Sequence, residues 1–147
     1  MSPFTVDPLS WESLLCCFLS AFAIGLERQL GGKPVGIRTS SLICIGTYVF
    51  IAMSRDVFND ATDPSRIVGQ VITGIGFLGA GVMLAKDGIV VGVTSAASIW
   101  ILAAIGVVIG VGHPWLGVRR TVLTVAILVG VNFMENTFEF LQRGVHY

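Results

Sequence analysis

Five stretches of the chain contain few charged residues and are separated by short polar segments. They cover about residues 9–26, 39–54, 67–85, 93–112 and 117–136. A hydrocarbon core roughly 30 Å thick is crossed by about 20 mostly apolar residues in a helix, and each stretch approaches that length. Arg38 and Arg55 flank the short second stretch, where their long side chains can reach the membrane interface. The pattern therefore predicts an all-α, polytopic bundle of about five transmembrane helices, in a single domain over residues 1–147.

The third and fifth stretches begin with opposite signals. Asp63 followed by Pro64 is typical of a helix start, because Asp caps free backbone amides and Pro at the first position has none to cap. Arg119 and Arg120 instead interrupt the beginning of the fifth stretch, which is the least regular of the set. We therefore expect the third helix to begin near Pro64 and the connections to be short turns.

The composition supports a membrane protein and narrows its partners. Apolar residues make up 54% of the chain and charged residues only 12%, with a mean hydropathy of +0.84; soluble domains carry about 25% charged residues. Nine basic and nine acidic residues give no net charge, so nothing attracts the chain to nucleic acid. The lipid bilayer is the predicted partner. Cys16, Cys17 and Cys44 form no metal or redox motif and are expected to be buried as small apolar groups.

The orientation follows from the positive charges of the connecting segments. Cytoplasmic loops carry an excess of Lys and Arg, and the first loop region contains Arg28, Lys33 and Arg38, whereas no basic residue precedes Arg28. We therefore predict that the N-terminus lies outside the cytoplasm and the C-terminus inside.

Glycines concentrate in the third stretch. Gly74 to Gly79 reads GIGFLG, which matches a dinucleotide-binding string, but that string acts between a strand and a helix of a soluble unit and here lies in an apolar span. Small residues instead let neighbouring helices approach closely in a membrane. Helix packing or a partner face is therefore predicted for Gly74, Gly76, Gly79 and Gly81, and packing alone for the pairs Gly88/Gly92 and Gly106/Gly110.

Polar residues inside the predicted spans are candidates for function, because lipid cannot satisfy their hydrogen-bonding groups. Gln70 and Thr73 share one face of the third helix. Thr94, Ser95 and Ser98 open the fourth, although hydroxyls often bond to their own helix backbone.

Charged residues form a second group of candidates, and interfacial anchoring is an open alternative for each of them. With alternating helices, Glu27, Arg28, Lys33 and Arg38 belong to the inner interface, whereas Asp63 and Arg66 belong to the outer one. Asp63 with Asp60 or Asp56 could hold Mg²⁺ at the membrane surface. No nucleophile, base and orienting group occur in a recognisable pattern, so neither catalysis nor a cofactor is expected.

Three strings identify a family when taken together. They are GLERQLGGKPVGIRTSSLICIG, DPSRIVGQVITGIGFLGAGVML and VGVTSAASIWILAAIGVVIGVG, and between Leu14 and Thr124 they resemble the MgtC/SapB family of bacterial inner-membrane proteins. The family pattern of charged and polar residues matches Gly25, Glu27, Arg28, Lys33, Pro34, Gly36, Arg38, Thr39, Asp63, Pro64, Arg66 and Gln70. The Gly-rich pattern matches Gly74 to Gly81.

The resemblance implies a bundle of about five helices in the bacterial cytoplasmic membrane, with roles in adaptation to low Mg²⁺, in intracellular or acid stress and in virulence. Family members resemble modulators of other membrane proteins more than established magnesium transporters. This chain has Thr94 where well-known members carry Asn, and Ile101 where they carry Cys. It also ends at Tyr147, where many members add a soluble C-terminal domain.

Two functional hypotheses follow. The first is a non-enzymatic regulator that binds another membrane protein, with an ion-transporting ATPase among the candidates, through the third helix. The second is a small-cation or Mg²⁺ transporter or channel, which requires a homo-oligomer because five spans form only a modest pathway. The candidate functional residues are Glu27, Arg28, Lys33, Arg38, Asp63, Arg66, Gln70 and Thr94.

Overall fold

The computed structural model describes residues 9–57, 64–86 and 89–137. Its elements, in chain order, are α1 (Trp11–Leu30), α2 (Ile37–Val57), α3 (Pro64–Val82), β1 (Leu84–Lys86), β2 (Ile89–Val91), α4 (Val93–Gly110) and α5 (Pro114–Thr137). All five of these helices are long and apolar enough to cross a membrane. This confirms the predicted polytopic, all-α bundle.

The first helix is fixed at its start by local hydrogen bonds. Ser10 is the N-cap of α1, and its hydroxyl accepts a hydrogen bond from the Ser13 amide at 3.1 Å, which satisfies one of the free amides of the first turn. The Ser10 amide donates to the Tyr48 hydroxyl on α2 at 2.9 Å. The cap therefore also joins the first two helices.

The third helix begins at Pro64, as predicted, but ends at Val82 rather than Ala85. Leu84–Lys86 pairs instead with Ile89–Val91 as an antiparallel hairpin. The sequence favours this hairpin because Asp-Gly separates the two strands and the second strand consists of β-branched residues. Gly92 then starts α4 with φ of +89°, a left-handed conformation that glycine adopts without strain.

The fourth helix lies at the centre of the bundle. It packs against the other four helices, and more than half of its span is buried, against 11% for α3 and for α5. Its side chains form most of the core together with α1 and α2. The largest fully buried side chains are Ile24, Ile99, Leu102, Ile105 and Ile109. The helices α3 and α5 are therefore peripheral.

Two glycines let α4 approach α2 closely. A Cβ added to Gly106 would lie 2.6 Å from the Cys44 carbonyl oxygen, and one added to Gly110 would lie 2.7 Å from Cβ of Ile51. The predicted packing role of this pair is therefore confirmed. Gly92 acts in the turn before α4 instead, and Gly88 lies outside the described residues.

The three cysteines are free and buried, as predicted. Cys17 and Cys44 have no exposed surface, and Cys16 is 5% exposed. All three belong to the apolar core of the bundle.

Candidate functional site

A buried arginine links α1 to α4 at one end of the bundle. Arg28, in the last turn of α1, is only 4% exposed, and its Nη2 donates a hydrogen bond to the Ser95 hydroxyl at 2.7 Å. Ser95 lies in the first turn of α4 and is also buried. The Nε of Arg28 is buried without a hydrogen-bond partner. Because an unpaired charged group is costly in an apolar bundle, the bond to Ser95 stabilises the buried position of Arg28.

The neighbouring glutamate links α1 to α5. Glu27 is half-buried, and its Oε1 accepts a hydrogen bond from Nδ2 of Asn132 at 3.3 Å. Its other carboxylate oxygen, Oε2, is buried without a partner. Glu27, Arg28, Ser95 and Asn132 thus form a polar cluster that joins three helices, and we call it the three-helix polar cluster.

The turn between α1 and α2 is tightly packed beside this cluster. A Cβ added to Gly25 would lie 2.6 Å from Cα of Ile37, so only glycine fits there. Gln29 Oε1 accepts a hydrogen bond from the Ile37 amide at 3.3 Å. Val35 is buried with φ of +68°, which is strained for a β-branched residue. Its carbonyl accepts a hydrogen bond from the Ser40 hydroxyl at 3.2 Å, and this contact helps to hold the strained turn.

Three other candidates lie at the same end of the bundle but point to its surface. Lys33 follows α1, Arg38 lies in the first turn of α2, and Thr94 precedes Ser95 in α4; all three side chains are exposed. The positive charges of Lys33 and Arg38 are available to groups at the membrane interface, as the anchoring interpretation requires.

The remaining polar candidates belong to α3. Arg66 lies in its first turn, at the opposite end of the bundle from Arg28, and Asp63 lies outside the described residues. The predicted magnesium pairs of Asp63 with Asp60 or Asp56 therefore have no described geometry. Gln70 is exposed on α3, and its amide has no hydrogen-bond partner in the described part of the chain.

The glycines of α3 differ in their surroundings. A Cβ added to Gly79 would lie 3.8 Å from Ala96 and 4.0 Å from Trp100 of α4, so this glycine makes ordinary contact inside the bundle. Gly74, Gly76 and Gly81 have nothing within 4 Å of the same position. The structure thus assigns Gly79 to internal packing and leaves the other three on an open face.

The opposite side of α3 lines an apolar groove against α4. The groove encloses about 220 Å³. Its walls are aliphatic apart from the ring of Trp100 and are formed by Val68, Val71, Ile72, Ile75, Trp100, Ala103, Ala104, Val107 and Val108. It can accommodate hydrocarbon and offers nothing to bind a charge.

Sequence reasoning missed Asn132 and gave Ser95 only a local role. Asn132 interrupts the apolar fifth stretch, and its amide needs partners that lipid cannot supply, so the argument made for Gln70 applied to it equally. Ser98 does bond to its own helix, at Thr94, whereas Ser95 bonds to Arg28. No sequence signal separates these two serines, because the difference depends on which residue faces α1.

Comparison with known proteins gives consistent matches. Residues 14–137 match the MgtC family. YhiD of Escherichia coli, which its name presents as a candidate magnesium transporter, is 41% identical over 140 residues, covering 90% of this chain and 64% of YhiD. Protein MgtC of Brucella abortus is 35% identical over 129 residues, covering 86% of this chain and 54% of that protein. Protein SrpB of Synechococcus elongatus is 39% identical over 140 residues, covering 86% of this chain and 76% of SrpB.

The chain spans less than two thirds of YhiD and about half of the Brucella protein. No solved structure matches it. The family match nevertheless extends from α1 through α5 and includes every residue of the three-helix polar cluster. The chain is therefore a multi-pass membrane protein that belongs to the MgtC family.

Proposed function

We propose that this chain is a non-enzymatic regulator of other membrane proteins in the bacterial cytoplasmic membrane. It acts in adaptation to low Mg²⁺ or to intracellular stress, and it binds a partner helix through the open face of α3. The observation that carries the proposal is the empty space beside Gly74, Gly76 and Gly81. Glycines in a membrane helix let another backbone approach, and no helix of the described bundle uses this surface.

The polar residues of the same face support the proposal. Gln70 and Thr73 are exposed on α3. Thr73 bonds to the carbonyl of Gly69 at 2.9 Å, but the Gln70 amide would face hydrocarbon if this surface met only lipid. Six residues from the helix start place Gln70 about 9 Å into α3. A partner helix with a hydrogen-bonding group at that depth would satisfy the amide.

The proposal is tested by crosslinking in native bacterial membranes, followed by identification of the captured proteins by mass spectrometry. Gly76→Leu fills the open face and should abolish capture of the partner while the protein still inserts and folds. Gly130→Leu is the matched control, because Gly130 lies on α5 and also has nothing within 4 Å of an added Cβ. This variant should capture the same partner as the unaltered chain.

Two results would contradict the proposal. One is identical capture by the Gly76→Leu and unaltered chains, which would show that the partner does not use α3. The other is equal loss of capture in the Gly130→Leu variant, which would show a general effect of leucine on the protein.

Transport of a small cation by an oligomer is the second candidate function. It is favoured by Glu27, whose Oε2 is unpartnered inside the bundle, because a free carboxylate oxygen is a ligand for hard cations. The name of YhiD points in the same direction. The test is cation flux, Mg²⁺ included, into vesicles containing the purified protein, with Glu27→Gln, Gln70→Leu and Asp63→Asn as variants. Flux that Glu27→Gln removes would favour transport, whereas flux equal to that of empty vesicles would exclude it for the chain alone.

A further inference from the structure

We propose that the outward face of α3 pairs with the same face of a second copy of this chain, with the two helices parallel. The pairing buries Gln70 of each copy against the other. The pairing uses the same surface as the proposed function, so the second copy and the regulated partner compete for this face. To that extent the inference rests on the proposed function.

The residue spacing of this face is that of a two-helix seam. The exposed residues furthest from α4 recur at intervals of three, four and three beyond the first turn of α3. They are Gln70, Thr73, Phe77 and Ala80. Such a repeat keeps one stripe of a helix in contact with a neighbouring helix along its whole length. No helix of the described bundle occupies the stripe, because the side of α3 that meets α4 is formed by other residues, among them Ile75 and Gly79.

Glycines border this stripe on both sides. Gly69 and Gly76 lie along one edge, and Gly74 and Gly81 lie along the other. An added Cβ would meet nothing within 4 Å at any of the four. Because the flanking positions carry no side chains, a second helix could approach the stripe closely over about three turns.

Gln70 favours a second copy over an unrelated helix. A twofold axis along the membrane normal places each residue at the same depth as its own counterpart. The amide of Gln70 carries both donors and an acceptor, so two copies can satisfy each other without any further group. A single polar residue in such a seam also fixes the register of the two helices.

Phe77 supplies the apolar contact of the pair. Its side chain is 81% exposed, the highest value among the exposed large apolar side chains of the described residues. In a parallel pair, a side chain at this position of the repeat inserts between four residues of the other helix. The receiving positions of the copy are Thr73, Gly76, Phe77 and Ala80. Each ring therefore meets its own counterpart and three small residues, so the two aromatic side chains can pack side by side without crowding.

The test is disulfide crosslinking in vesicles that contain only the purified, full-length protein. Thr73→Cys places a thiol in the centre of the seam and should give a covalent dimer with a membrane-permeable oxidant. Ile127→Cys is the control, because Ile127 is 56% exposed on α5 and lies outside the proposed contact. The three native cysteines are at most 5% exposed, so the unaltered chain should give no crosslink.

A second substitution tests the role of the amide. Gln70→Leu in the Thr73→Cys background should lower the association constant roughly 3- to 30-fold, which is the range expected from about 0.6–2 kcal/mol for a polar contact between membrane helices. Gln70→Asn keeps an amide and should retain most of the association.

Three results would overturn the inference: no dimer from Thr73→Cys, equal dimer yields from Thr73→Cys and Ile127→Cys, or an unchanged association constant in Gln70→Leu. Because the vesicles contain no other protein, these results are independent of capture in native membranes. Failure here together with capture that Gly76→Leu abolishes would leave the proposed function standing and assign the face to the partner alone.

Discussion

Glycines on α3 and α4 follow similar spacing, yet they meet opposite surroundings. On α4, Gly106 and Gly110 press against the backbone and side chains of α2, and an added methyl group would overlap atoms at 2.6 and 2.7 Å. On α3, Gly74 and Gly76 meet nothing within 4 Å. The two α4 glycines contact another helix of the same chain, whereas these two α3 glycines face open space in the described bundle. Four substitutions examine this contrast through the free energy of unfolding in detergent.

Gly106→Ala should have the largest effect. The new Cβ would clash with the Cys44 carbonyl oxygen and with Cβ of Thr47, so α2 and α4 must separate. We expect a loss of about 3 kcal/mol, at the upper end of the usual cost of overpacking, because the backbone cannot move aside as a side chain can. Thermal unfolding of the purified variant measures the change. A melting temperature equal to that of the unaltered chain would show that the α2–α4 contact is looser than described.

Ser95→Ala extends the contrast from glycines to hydroxyls and should have the second largest effect. It removes the Ser95 hydroxyl that accepts from buried Arg28, and hydrogen bonds to charged groups contribute about 1.5–3 kcal/mol. Ser98→Ala is the matched control on the same helix, because the Ser98 hydroxyl is also buried but bonds only to the Thr94 carbonyl. Denaturant unfolding measures the stability of both variants. Equal destabilisation by the two would argue against a structural role for the Arg28 contact.

Gly79→Ala should have a smaller effect than Gly106→Ala and Ser95→Ala, because its new methyl group fits without overlap. Its Cβ would lie at 3.8 Å from Ala96, an ordinary contact distance, and alanine favours a helix over glycine by up to about 1 kcal/mol. The unfolding free energy should therefore stay constant or rise by no more than about that amount. A clear loss of stability would mean that α3 packs more tightly on α4 than the described distances indicate.

Gly76→Ala should have the smallest effect on the folded monomer. Nothing lies within 4 Å of the new methyl group, so it gains no contact and only the helix propensity of alanine remains. We expect the unfolding free energy to stay constant or to rise by less than about 1 kcal/mol. The measurement is the unfolding transition of monomeric protein at high detergent. Strong destabilisation under those conditions would contradict the open face on which both proposals rest.

The sequence predicted the five helices because length and apolar content decide whether a segment crosses a membrane. Asp63-Pro64 correctly indicated the start of α3 at Pro64. The end of α3 was harder to predict, since Leu84 and Ala85 are apolar and continue the hydropathy of the span, although they lie in β1. The pairing of β1 with β2 depends on residues that follow the span, which a hydropathy window does not weigh.

The candidate site was predictable only in part. Glu27 and Arg28 were identifiable as charges at the end of an apolar span. Their partners Ser95 and Asn132 come from α4 and α5, 67 and 105 residues away, and no local pattern pairs them. The sequence also does not distinguish glycines that contact another helix from glycines that face open space. The difference depends on the neighbouring helix and not on the segment that contains the glycine.

The long sequence separation within the three-helix polar cluster imposes an order on the assembly of the helices. Arg28 leaves the ribosome 67 residues ahead of Ser95, which at about 5–20 residues per second is an interval of roughly 3–13 s. Throughout that interval the guanidinium lacks its native acceptor, so α1 cannot take its final buried position. The first helix therefore reaches its final buried position only after the fourth helix has been made, and the bond from Glu27 to Asn132 of the fifth helix forms later still.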